Sequence, residues 1–267
     1  MAAEQAVAIT RYPAVRGALW LKEAFAMFSR ARVPWLLLLL LYYAVMALVD
    51  VIPVIGQLAV PVLKPVFAVG FLAAAWSQER GNRPQLKQLF QGFRANLFAL
   101  LTLGVVLLVG VTLSVLATAL VDGGALLDVL SGKGALDEGA AAGSMQAAML
   151  FGAACALPVL LALWYAPALV VFHDCSAGRA IALSLQATLA NWRPLAVYGL
   201  LVAFYGVVIP GFVAAIVALV VPPSSALAVA VMVMMPYLFF LVATLHVSDY
   251  VSYRDIFHAD ETPPATS

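Results

Sequence analysis

The sequence predicts an all-α protein: a polytopic six-helix transmembrane bundle with three interfacial amphipathic helices on the cytoplasmic leaflet. Three observations lead there. First, 65% of the 267 residues are hydrophobic and 10% are charged, whereas a soluble domain carries roughly 25% charge and about 45–50% apolar residues. Second, the apolar residues gather into long continuous runs, and uncharged runs of about 18 or more residues read as membrane helices. Third, the basic residues concentrate in alternate connections. Continuous runs favour helices over a barrel, because in hydrocarbon a helix satisfies its backbone donors and acceptors within its own segment.

In chain order the runs cover residues 33–49, 57–77, 96–120, 147–172, 194–221 and 226–247. About 20 helical residues cross the ~30 Å hydrocarbon core, so the longer runs tilt, kink or project. An amphipathic segment precedes each odd-numbered run. In the first, Leu21, Phe25 and Phe28 form one stripe and Arg16, Glu23 and Arg30 another. In the second, Leu86, Leu89, Phe90 and Phe93 follow the i, i+3, i+4, i+7 spacing of one helical face. In the third, Ser184, Thr188 and Asn191 line up at i, i+4, i+7, with Ile181, Leu185 and Leu189 on another side and Ser176 as the N-cap. These helices are expected to lie in the membrane plane, apolar face down, with cations near anionic headgroups.

The stretches "FSRARVPWLL", "FQGFRANLFA" and "LQATLANWRP" each place Phe or Leu six residues before Pro34, Asn96 or Asn191. Two explanations stay open: three copies of one hairpin unit, at about 14–77, 83–173 and 176–250, or the shared need of any hairpin for an amphipathic lead. Residues 1–258 read as a single integral membrane domain and 259–267 as a short disordered cytoplasmic tail.

Twelve of the fourteen Lys and Arg residues fall on one side of these runs, leaving Lys133 opposite and Lys64 inside the second run. The positive-inside rule puts both termini in the cytoplasm. The long outer loop, 121–146, carries Asp122, Asp128, Asp137 and Glu138, and its six glycines predict flexibility around "ALLDVL", which suits one or two helical turns. No cleavable signal peptide or lipidation motif is expected.

Lys64, between Pro61 and Pro65, is the first candidate for function. It lies roughly 10 Å from the outer end of its run at 1.5 Å per residue. The plainest reading is a lysine that snorkels to the interface, with Asp50 near the same end. The alternatives are a substrate or ion path, and a re-entrant segment broken at the two prolines. Pro61, Pro65, Pro158, Pro167, Pro210 and Pro236 fall within or near the ends of four runs; mid-helix prolines bend helices, and broken helices line cavities in many transporters. At the cytoplasmic rim, His173, Asp174, His246 and Asp249 form a candidate polar cluster, read as boundary polarity in preference to a metal site. Tyr250, Tyr253, Trp164, Tyr165 and Trp192 suit an aromatic belt. Cys155 and Cys175 read as neither a disulfide nor metal ligands. No phosphate loop, His-Glu-x-x-His or Gly-x-Ser-x-Gly elbow occurs, so no enzyme, catalytic residue, cofactor or metal is expected, and no basic patch calls for nucleic acid.

The stretches "PVFAVGFLAAAWSQERGNRPQLKQLFQGFR", "WYAPALVVFHDCSAGRAIALSLQATLANWRP" and "YVSYRDIF" resemble a family of uncharacterised six-span bacterial inner-membrane proteins, best represented in betaproteobacteria. The resemblance implies a multi-pass protein of the bacterial cytoplasmic membrane and brings no catalytic residues with it. Two functional expectations follow: a non-enzymatic scaffold or accessory protein acting through the lipid bilayer, a membrane protein partner or homo-oligomer, and, as the alternative, a small permease or channel with a path near the kinked spans and Lys64.

Overall fold

The computed structural model describes residues 7–133 and 141–258; Asp137, Glu138 and the tail 259–267 lie outside them. The helices are α1 Arg16–Arg30, α2 Arg32–Asp50, α3 Ile55–Glu79, a 3-10 segment Leu86–Arg94, α4 Leu97–Ala117, α5 Ala119–Asp122, α6 Ala125–Leu130, α7 Ala141–Leu163, α8 Ala166–Phe172, α9 Ala177–Ala190, α10 Trp192–Ala203, a π segment Phe204–Val208, α11 Ile209–Val220 and α12 Pro223–Phe257. No strand occurs among the described residues. Six stretches are long and apolar enough to span a membrane: Arg32–Asp50, Ile55–Glu79, Leu97–Asp122, Gly143–Phe172, Trp192–Val220 and Pro223–Phe257. Each contains or overlaps one predicted run. The largest departure is α12, which continues ten residues past Val247. Its 35 residues reach about 52 Å at 1.5 Å per residue, against a hydrocarbon core of ~30 Å.

The chain packs as two units, one of residues 1–48, 66–95 and 186–267 and one of residues 49–65 and 96–185. In the second unit α4 lies against α7. Small residues allow the close approach: a Cβ added at Gly110 would stand 2.6 Å from a Val159 methyl, and one at Gly152 would stand 2.7 Å from that of Thr118. Lipid tails are as apolar as leucine, so membrane helices associate through such close packing. The "ALLDVL" piece is the helix α6. Gly123 and Gly124 precede it at φ +68° and +102°, a conformation that costs glycine little. Asp122 caps the turn, accepting from the Gly124 amide at 2.9 Å and the Leu126 amide at 2.8 Å.

The prolines act unequally. α3 runs unbroken through Pro61 and Pro65, α7 through Pro158 and α12 through Pro236, so α3 is a spanning helix and not a re-entrant segment. The helix breaks only near the other two. Ahead of Pro167, α7 stops and α8 begins. There Ser184 repairs the backbone: its Oγ accepts from the Tyr165 amide at 3.0 Å and donates to the Leu161 carbonyl at 3.2 Å. Ahead of Pro210, which has no N–H to return to Gly206, the backbone widens into the π segment. The Tyr237 hydroxyl donates to the Tyr205 carbonyl there at 2.7 Å.

In the first unit Trp20, Phe28, Trp35, Phe67 and Phe71 are fully or almost fully buried. Gly17 lets α1 touch the backbone of α10, since a Cβ there would overlap the Pro194 carbonyl.

Two amphipathic segments differ from the regular pattern. The second is a 3-10 helix, so its repeat is three residues and not 3.6. Leu89 and Gly92 are buried, while Phe90 and Phe93 stay partly exposed and pack their edges on Phe67 with centroids 6.1 and 5.5 Å away. The third segment, α9, has Ser176 at its N-cap, with Oγ 3.5 Å from the Arg179 amide, but its polar stripe faces inward. Ser184, Thr188 and Asn191 are buried and Leu189 is exposed. The polar groups find hydrogen-bond partners inside, and the apolar face is free to meet lipid. The aromatic belt is corrected for the same reason. Tyr165, Tyr250 and Tyr253 are core residues, whereas Trp192 is 61% exposed.

Candidate functional site

The densest polar chemistry of the first unit gathers where the last turns of α12 meet α1. Arg16, Trp20 and Glu23 recur at i, i+4, i+7 and so share a face of α1. Arg254 and Asp255 stand on α12, and Glu79 ends α3. The Asp255 carboxylate, 1% exposed, accepts from Arg16 Nε at 2.6 Å, Trp20 Nε1 at 2.8 Å and an Arg254 Nη at 3.0 Å. Glu23 accepts from Arg16 at 2.7 Å and Arg254 at 3.2 Å. Glu79 accepts from both Arg254 and the Tyr250 hydroxyl. Two guanidiniums thus serve three carboxylates, and the surplus negative charge is met by neutral N–H and O–H donors. Partial burial works against the Arg16 charge, but the hydrogen bonds and charges of Asp255 and Glu23 outweigh it and hold its pKa above the ordinary value.

A strap formed by residues 7–15 closes over this end. Asn191 Nδ2 donates to the Thr10 carbonyl at 2.9 Å, and its Oδ1 accepts from the Tyr12 amide at 2.9 Å. The Thr10 amide donates to the Ile256 carbonyl at 2.9 Å, and the Tyr12 hydroxyl donates to the Asp255 carbonyl at 3.2 Å. Burial, then the Asp255 charge, raises the pKa of the Tyr12 phenol. On the other side of α1, Gln78 accepts from Trp35 Nε1 and donates to the Met27 carbonyl, both at 2.6 Å. A notch of about 260 Å³ beside the network is lined by Glu23, Arg30, Gln78, Glu79 and Arg254 among others. The network therefore fastens α1 and the strap to α3 and α12. Every carboxylate in it accepts at least one hydrogen bond from a guanidinium.

The residues singled out from the sequence lie elsewhere. Lys64 is exposed on α3 and Asp50 is exposed at the end of α2. No ion pair within 4.0 Å joins them. His173 and Asp174 form the turn between α8 and α9, with Asp174 at φ +50°. His246 and Asp249 share a face of α12, with Nδ1 and Oδ2 3.9 Å apart. The His246 ring stacks on Phe71, with centroids 3.9 Å apart. Among the described residues no three His, Cys, Asp or Glu side chains group as metal ligands. Sequence reasoning missed the network because it counted Arg16, Arg254 and the acids as surface charge. The available signal was the placing of Trp20 between Arg16 and Glu23 on one face of α1, which marks that face as packed and not merely solvated.

No family model matches the chain. No solved structure matches it either. A probable inner membrane protein of Burkholderia thailandensis is 32% identical over 252 residues, covering 92% of this chain and 92% of that protein. The chain belongs to the same family of multi-pass bacterial inner-membrane proteins.

Proposed function

We propose that this protein is a non-enzymatic accessory or scaffold protein of the inner membrane, acting through lipid or partner contacts, with both termini in the cytoplasm. One observation carries the reading: α1 and the 3-10 segment are locked in place while keeping apolar side chains outward. Phe25 on α1 is 55% exposed, and Phe90 and Phe93 are also exposed. Lys22, Arg30, Lys87 and Arg94 stand on the same segments. A fixed surface of aromatic and basic side chains suits the headgroup boundary of an anionic leaflet. The carboxylates of the network support a fastening role over a catalytic one, since a general base needs a free acceptor within reach of substrate. Lys64, exposed on α3, supplies no enclosed charge for a permeation path.

Extraction in native lipid patches, followed by mass spectrometry of co-purifying lipids and proteins, tests this reading. Enrichment of an anionic lipid or of a membrane protein over bulk membrane is the expected result. A bulk lipid profile with no co-purifying protein would count against it. The orientation is tested by reporter fusions. One at residue 85 is expected to report the cytoplasm and one at residue 135 the opposite compartment. The same compartment for both would overturn the topology.

A further inference from the structure

The first unit holds a second concave feature that the network does not use. A partly open groove of about 710 Å³ runs between α1, the junction of α10 with the π segment, and α12. Ligand pockets typically occupy about 300–1,000 Å³. Its walls are Leu21, Phe25, Leu201, Phe240 and Leu241. Lys22 on α1 is the charged residue among its lining residues. From Thr244 the lining descends α12 to Tyr237, seven residues or about 10 Å further into the span.

Resting on the lipid-contact reading above, we infer that this groove seats one acyl chain of an anionic glycerophospholipid, with Lys22 pairing the headgroup phosphate. Three observations converge on that occupant. The groove runs along a spanning helix, so its surroundings are hydrocarbon, and leaving it empty would forfeit dispersion contacts on every wall. Its deep end is made apolar in an unusual way. The π segment displaces backbone carbonyls from their helical partners, and the Tyr237 hydroxyl takes up that of Tyr205, which spares hydrocarbon from facing a bare acceptor. At the other end the charge is uncommitted. Arg16 and Arg254 are occupied by Glu23, Glu79 and Asp255, whereas Lys22 is exposed and has no ion pair among the described residues. An exposed ammonium above a chain-shaped apolar slot complements a lipid phosphate above its acyl chain.

The test uses the full chain reconstituted in bilayers of equal phosphatidylglycerol and phosphatidylcholine, released into a mild maltoside detergent for native mass spectrometry. The wild type is expected to retain phosphatidylglycerol in about fivefold excess, the contribution of one basic residue near an anionic surface. Lys22→Gln, an exposed substitution that leaves the fold intact, is expected to retain the two lipids equally. Leu201→Trp, which fills the slot, is expected to lose both. Lys64→Gln, on α3 outside the groove, is expected to match the wild type. An undiminished excess in Lys22→Gln overturns the proposal, as does wild-type retention in Leu201→Trp. A dimer that Leu201→Trp dissociates while lipid retention is unchanged would assign the groove to a second copy and equally overturn it. Lipid retention that ignores both substitutions refutes the groove alone; absence of any enriched lipid or protein in the native patches refutes the broader reading.

Discussion

Replacing Asp255 with alanine is expected to destabilise the protein by about 3–5 kcal/mol, the usual cost of removing one member of a buried ion pair. The carboxylate is the hub of the network: its two oxygens accept from Arg16, Arg254 and Trp20. Without it, two guanidiniums and an indole N–H lose their acceptor in a site that water reaches poorly. Arg16 still has Glu23, and Arg254 still has Glu23 and Glu79, so the structure loosens at α1 before the spanning helices separate. Equilibrium unfolding in mixed micelles, followed by tryptophan fluorescence, measures the loss. The double variant Arg16→Met, Asp255→Leu is expected to cost less than the sum of its single changes, because neither partner is then left facing an empty site. Strict additivity would show that the two residues are not coupled.

The second large effect is expected at Gly70. A Cβ there would run into the Leu89 carbonyl and Cα, and one at Gly92 would run into the Val66 carbonyl. These reciprocal contacts lay the backbone of the 3-10 segment directly on α3. No rotamer change can relieve a clash with backbone. Gly70→Ala is therefore expected to cost about 1–3 kcal/mol or more and to release the 3-10 segment, read as faster amide exchange over residues 86–94. Gly199 and Gly211 are the controls. Both are helical and have open space where a Cβ would go, so alanine at either is expected to be neutral or to stabilise by about 0.5–1 kcal/mol. Equal losses at all four glycines would remove the close-approach argument.

Both predictions rest on packing that hydropathy did not reveal. The exposed position of Lys64 and the stacking of His246 on Phe71 were likewise decided by which way each helix turned. The turn helix α6 and the Ser176 cap, by contrast, were readable in "ALLDVL" and in the polar residues before "AGRAIAL", because turns and caps depend on a few neighbouring residues. The reading of 86–93 as a regular amphipathic helix failed on a finer point: a period near 3.6 and a period of 3 share Leu86 and Leu89 and part only at Phe90, Gly92 and Phe93, too few positions to reveal the tighter helix.

The sequence by itself determined the six hydrocarbon-length helices and their order, because backbone satisfaction and hydrophobic length are properties of each segment alone. Tertiary structure alone decided which face of each helix turned inward. In water, hydrophobicity marks the interior; here the surroundings are as apolar as the core, and that marker loses its meaning. Packing and hydrogen bonding made the choice instead, drawing Ser184, Asn191, Tyr250 and Asp255 inside and leaving Leu189, Phe25 and Lys64 on the surface.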